Sequence, residues 1–157
     1  MKKNVFLFVA LLGIVALMSN CKKDIESTSF SADAWPDKAK IELTVYKVID
    51  VTVDASSSDT VALADQAVTA IIANSQFVSL TPGNWTQTLM TDASGKVTFE
   101  VPAKEESTVS VTFRSKAFTG QQDGKEGTFS EATTGATVRS KDVRYETIYH
   151  VTHVDIP

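Results

Sequence analysis

The two histidines of the chain, His150 and His153, lie three positions apart in a segment rich in β-branched and aromatic residues. On a strand, side chains three apart point to opposite faces, so the pair is badly placed to share a metal ion, and both read as edge or surface histidines. Asp155 is near, but a hydrolytic triad needs a serine held against the imidazole, and no motif positions one. There is no Gly-x-Ser-x-Gly elbow, no His-Glu-x-x-His and no glycine-rich phosphate loop. Asp123-Gly124-Lys125-Glu126-Gly127 places two acids in a flexible stretch. Calcium takes about six to eight oxygens, and the dense acidic spacing of an EF-hand loop is missing, so this reads as a solvated loop. The sequence assigns no catalytic residue, no metal ligand and no cofactor.

Binding is better represented. Trp85 follows the turn residues Pro82-Gly83-Asn84. It can stack on a sugar ring, or it can cap a core from the start of a strand, the commoner role. Thr119–Thr137 carries four of the seven glycines. It is long for a connection, and long connections are usually functional or disordered. With Asp123, Glu126 and Phe129 it is the first candidate for a ligand-binding surface, and Trp85 is the other.

The elements that would hold such a site begin with a leader. Val5–Met18 is an apolar run of 14 residues behind Lys2 and Lys3, shorter than the ~20 residues of a spanning helix and suited to the apolar region of a secretory signal. The following Met18-Ser19-Asn20-Cys21 resembles the lipobox of bacterial lipoproteins, with Asn20 where Gly, Ala or Ser is usual. In that group a peptidase cuts before the cysteine, which then carries the lipid. The resemblance implies a signal peptide over 1–20, lipidation of Cys21 and a tether over 21–38. An ordinary signal peptide or an uncleaved helical anchor is the other reading. Acyl chains hold a protein to a bilayer by about 0.8 kcal/mol per buried methylene. Lys22, Lys23, Asp24 and Glu26, with Ile25 between the acids, resemble the export signal of Bacteroidetes-type surface lipoproteins. The expected location is the outer membrane, facing the cell surface, with its periplasmic face as the alternative. Asp59-Thr60-Val61 resembles a short O-glycosylation motif of the same bacteria.

Cys21 is the single cysteine, so no internal disulfide staples the fold. Lys2 and Lys3 are the only charges before it, and without them the formal charge falls from −4 to −6. With no basic patch, nucleic acid is not an expected partner.

Residues 39–157 read as one domain. From Ile41 to Val53 the odd positions are apolar except Lys47, and the even ones are largely polar, the period of a half-buried strand. A bend is expected near Tyr46–Val48, because the run outlasts an ordinary strand. Val68, Ile71 and Ile72 could form one face of a short helix, but Ala67–Ala73 is short and β-branched and reads as a strand. Trp85–Thr91 and Lys96–Val101 flank Asp92-Ala93-Ser94-Gly95 and read as a hairpin, with Gly95 at φ > 0. Thr108–Phe118 alternates again. In the last strand, about Asp142–Ile156, the apolar parity shifts from Val143, Tyr145, Tyr149 and Val151 to Val154 and Ile156. The pattern predicts an all-β antiparallel sandwich of about seven strands.

Three stretches, Leu63–Ala70, Thr91–Ala103 and Thr108–Phe118, resemble a carboxypeptidase regulatory-like domain, whose fold is the transthyretin-like (prealbumin-like) sandwich. The Thr-Asp-x-x-Gly turn and the Pro102-Ala103 stop carry the likeness, and Ig-like domains share the turn. The resemblance implies a non-catalytic module that presents loops to a glycan or protein partner, anchored to the membrane by lipid. The alternative is a fimbrial, pilin-like or adhesion-accessory subunit.

Overall fold

The computed structural model describes residues 31–49, 60–122 and 125–152. Cys21, Lys22, Lys23, Asp24, Glu26, Asp123, His153 and Asp155 lie outside them. The described chain is an all-β sandwich with strands β1 (Lys38–Ile49), β2 (Thr60–Ala62), β3 (Ala67–Ala73), β4 (Asn84–Met90), β5 (Lys96–Pro102), β6 (Val109–Ser115), β7 (Phe118–Gln122), β8 (Lys125–Phe129), β9 (Ala132–Val138) and β10 (Val143–Thr152). The alternation anticipated six of these and missed β2, β7, β8 and β9, which are short or polar.

The first sheet is built around β1. On one side β10 runs parallel to it over ten register positions, Lys40↔Val143 to Ile49↔Thr152. On the other side lie two antiparallel strands end to end, β5 against Lys38–Thr44 and β2 against Tyr46–Val48. The bulge or bend expected near Tyr46–Val48 is not found: β1 runs through it in unbroken register with β10, and only its antiparallel neighbour changes. At the junction Val45 N–H donates to Gly95 O and Leu63 N–H donates to Val45 O, while the β10 ladder continues without a break. The parallel pair corrects the all-antiparallel expectation, which side-chain alternation cannot distinguish from parallel pairing.

The second sheet has the order β4-β3-β6-β9 and is antiparallel throughout. The two sheets bury the alternating positions against each other. Ile41, Leu43, Val45, Phe99, Val101 and Ile148 face Val68, Ala70, Ile72, Val109, Val111, Phe113 and Val138. Phe99 and Phe113 meet across the layers at 5.3 Å between ring centroids. Side chains of this kind stabilise by about 1.5–3 kcal/mol each when fully buried.

Asp92–Gly95 is a tight turn but not a hairpin, which corrects the sequence reading. Its flanking strands belong to different sheets, β4 pairing with β3 and β5 with β1. The turn chemistry is as expected. The Asp92 carboxylate accepts from Ser94 N–H at 2.8 Å, Ser94 O–H at 2.7 Å and Lys96 N–H at 2.9 Å. These bonds, that of the Ser94 hydroxyl above all, lower the Asp92 pKa. Gly95 has φ +74, and a Cβ there would sit 2.7 Å from Val45 O.

Thr119–Thr137 is not a long loop. It contains most of the β7–β8 hairpin and of β9. Gly120, Gln121, Glu126, Gly127 and Thr128 give no apolar alternation because the hairpin is anchored chiefly by Phe118 and Phe129, which stack at 4.8 Å. It covers one end of the sandwich. There Thr152 O–H donates to Thr128 O at 2.7 Å, and Lys47, the polar exception in the apolar row of β1, donates its ammonium to Gln121 O at 2.6 Å.

In β10 the buried positions are Ile148, His150 and Thr152. The apolar set Val143, Tyr145, Tyr149 and Val151 points outward, and Val154 and Ile156, to which the parity shifts, lie outside the described residues. The residues just before β1, assigned to the tether by sequence, pack on the sandwich. Ala32 is buried, Asp33 Oδ1 accepts from Trp85 Nε1–H at 2.5 Å, and Trp35 contacts Phe77 at 5.1 Å.

Candidate functional site

The outer face of the first sheet is set by register alone. Residues opposite each other in a ladder point to the same side. Successive rows across β5 or β2, β1 and β10 are therefore Glu100–Lys40–Val143, Thr98–Glu42–Tyr145, Lys96–Thr44–Thr147, Ala62–Tyr46–Tyr149 and Thr60–Val48–Val151. All three tyrosines of the chain are on this face. The phenylalanines Phe99, Phe113 and Phe129 are buried on the opposite side. The hydroxyl decides the sorting, since a buried phenol needs a hydrogen-bond partner and an exposed one has water.

Tyr145 is 73% exposed and Tyr149 53%. Tyr46 and Tyr149 are stacked, with centroids 5.7 Å apart and planes 19° apart. Between Tyr145 and this pair the row Lys96–Thr44–Thr147 carries small side chains at its centre. The result is an open cavity of about 220 Å³, lined by Glu42, Thr44, Lys96, Thr98, Tyr145 and Thr147 among others. Its polar lining residues are three threonines, Tyr145, Lys96 and two acids, Glu42 and Glu146. Glu42 also receives the Lys40 ammonium at 2.7 Å, which raises the Lys40 pKa, first through the hydrogen bond and then through charge.

A second polar cluster is buried beneath the β7–β8 hairpin. His150, read from sequence as an edge or surface residue, is 0% exposed. The polarity of its neighbours in sequence gave no sign of the hairpin that covers it. Nδ1 lies 2.7 Å from Ser130 O, a carbonyl that only accepts, so Nδ1 carries the proton. Nε2 lies 2.8 Å from Ser115 Oγ and accepts the hydroxyl proton in the neutral imidazole. Gln66 Nε2–H donates to the same Ser115 Oγ at 2.9 Å, and Phe118 packs edge-on against the imidazole at 5.1 Å. Burial lowers the His150 pKa, an effect partly offset by the bond to Ser130. A serine beside a histidine has the contact of a nucleophile and its base. Here Ser115 is also 0% exposed, so no substrate carbonyl can reach it, and the cluster is a satisfied polar network in the core.

The residues singled out by sequence are not brought together. Trp85 is 7% exposed with its indole N–H on Asp33, which is the core-capping role. Phe129 is buried against Phe118. Neither ring is a sugar platform, because both faces are taken by the fold. Glu126 is exposed on β8, three residues before the buried Phe129 on the same strand and so on its opposite face, and far in sequence from Trp85. Thr60 is exposed in β2. Among the described residues there is no cluster of three or more His, Cys, Asp and Glu placed to hold a metal ion, and no helix is long and apolar enough to cross a membrane. The tyrosine face was missed because Tyr145 and Tyr149 were counted with the apolar row. The available signal was their identity, a hydroxylated ring in place of phenylalanine.

No protein-family model matches the chain, so the likeness to carboxypeptidase regulatory-like domains stays a likeness of turn and strand pattern. No curated protein matches it. Among solved structures, a crystal structure of "a putative carbohydrate binding protein" from Pseudomonas aeruginosa is similar over 73% of this chain and 88% of that one, at 15% identity and a TM-score of 0.41. A likeness at that level carries no functional argument.

Proposed function

We propose that this protein is a non-catalytic binding module, carried on a lipid anchor at Cys21 in the outer membrane and facing the cell surface, whose ligand is a glycan. One observation carries the reading: three tyrosines are displayed on a single sheet face, and one of them, Tyr145, lines an open cavity that also carries hydroxyl, carboxylate and ammonium groups. A sugar offers apolar C–H faces flanked by hydroxyls, and an aromatic ring edged by hydrogen-bonding groups is its chemical complement. Tyrosine serves this well because it exposes a rigid ring at small entropic cost and adds a phenol.

The test is a glycan array probed with the wild-type protein and with Tyr145→Ala. Binding by the wild type that the variant loses supports the reading, and silence of the wild type on every glycan sinks it. The anchor and location are tested by protease treatment of intact cells. Wild-type protein should be shaved from the surface, and Cys21→Ala should be released from the membrane fraction. Protection of the wild type would move the domain to the periplasmic face.

A second reading, a pilin-like subunit, is favoured by the parallel β1–β10 ladder, since a last strand of this kind can be exchanged between copies. A concentration-dependent oligomer on size-exclusion chromatography, abolished by shortening β10, is what that reading requires.

A further inference from the structure

Resting on the glycan reading just given, we infer that the tyrosine face takes an internal stretch of an uncharged glycan chain laid along β1 and β10. One ring occupies the cavity against Tyr145, and a later ring lies on the Tyr46–Tyr149 pair.

Length is the first argument. Tyr145 and Tyr149 are on the same strand and face, four residues apart, which is about 13 Å at the rise of an extended chain. A single pyranose ring does not reach from one to the other. A cavity of about 220 Å³ is also below the roughly 300–1,000 Å³ of pockets that enclose a small molecule. It cradles one ring and leaves the rest of the ligand on the open face. Because the site is a trough and not a closed pocket, a chain can enter and leave it, so neither end of a polymer is needed.

Charge is the second argument. The outer face carries Lys40 and Lys96 against Glu42 and Glu100, and Lys40 is already bound to Glu42 at 2.7 Å. No surplus cation remains for a uronate or a sulfate, and the acids would repel one. The hydroxyls of Thr44, Thr98 and Thr147, with Glu42 as acceptor and Lys96 as donor, match the alternating donors and acceptors of a polyol.

The experiment is isothermal titration of the purified lipidated chain in detergent. The probes are ladders from monosaccharide to hexasaccharide of cello-, xylo- and manno-oligosaccharides, with an oligogalacturonide ladder as the charged comparison. Affinity in at least one neutral ladder should climb by about tenfold or more between mono- and trisaccharide and then level off, with the charged ladder weaker at every length. Tyr149→Ala should flatten the climb and leave the short-ligand affinity in place, whereas Tyr145→Ala should weaken every length. Because Tyr149 also packs on Tyr46, Tyr149→Leu is run beside it, with melting temperatures as the check on folding. Binding that is equal at all lengths, a climb that survives both Tyr149 variants, or tighter binding of the charged ladder overturns the two-ring assignment and leaves the glycan reading standing. No binding of any ladder overturns both.

Discussion

Strands β5 and β10 flank the same central strand and share its two faces, yet they sort their residues in opposite ways. In β5 the apolar Val97, Phe99 and Val101 are buried, while Lys96, Thr98 and Glu100 face water. In β10 the polar His150 and Thr152 are buried with Ile148, while Val143, Tyr145, Tyr149 and Val151 face out. β5 follows the hydrophobic rule at every position and is held by it. β10 opposes the rule on both faces and is held by the ten-position ladder to β1 and by polar bonds to the hairpin. Where a strand breaks the local pattern and the fold compensates elsewhere, function is the expected reason. The contrast therefore marks β5 as framework and β10 as the displayed element.

Breaking the framework should give the largest effect. Phe99→Ala removes a fully buried ring that meets Phe113 and should cost about 3–5 kcal/mol in denaturant unfolding. A loss comparable to that at an exposed site would mean β5 is not the framework. Gly95→Val comes next. The new side chain would take a backbone at φ +74 and press on Val45 O at 2.7 Å, an arrangement that costs about 1–3 kcal/mol for strain alone. An unchanged melting temperature would refute the turn that leads into β5.

The inner side of β10 supplies a smaller effect that depends on pH. His150 has a folded pKa below its ordinary 6.5. Above that value the imidazole is neutral in both states and its contribution is complete. As pH falls below 6.5, the unfolded chain takes up a proton that the folded chain resists, so stability declines down to the lowered folded pKa. His150→Phe should flatten this slope and lose about 1–3 kcal/mol at neutral pH by leaving Ser130 O without its imidazole donor, while Ser115 Oγ keeps Gln66 and the Ala67 carbonyl. A slope unchanged in the variant would assign it to another group. The outer side of β10 gives the smallest stability effect. Tyr145→Ala should move unfolding by no more than about 0.5 kcal/mol while removing ligand binding. A large stability loss there would return Tyr145 to the framework.

The same contrast explains what was legible in the sequence. β1, β5 and β6 alternate because each buries one apolar face, β3 was read as a strand from its β-branched residues although its apolar spacing also suits a short helix, and the turn at Asp92–Gly95 announces itself through an Asx side chain and a glycine. Which strands pair was not legible. A tight turn can close a hairpin or lift the chain from one sheet to the other, and the flanking alternation is identical, as Met90 and Lys96 show. β7 and β8 were invisible because a small hairpin with two anchoring rings has no apolar period to read. The candidate site was legible only in its residues. Tyr46 and Tyr149 are more than a hundred positions apart in the chain, and their stacking follows from a parallel register that no local pattern encodes.

That register has a consequence for how the protein is made. Ile41 pairs with Arg144, 103 positions later, and the same offset holds along the whole ladder. Pairing across such a separation must wait until β10 has been made, and folds dominated by distant pairing form slowly, in roughly milliseconds to seconds. Until the last strand docks, β1 presents a free edge, the kind of template on which chains aggregate, and Tyr46 has no Tyr149 beside it. The tyrosine face is thus assembled only when β10 docks, and a nascent or clipped chain without β10 lacks the Tyr46–Tyr149 stack.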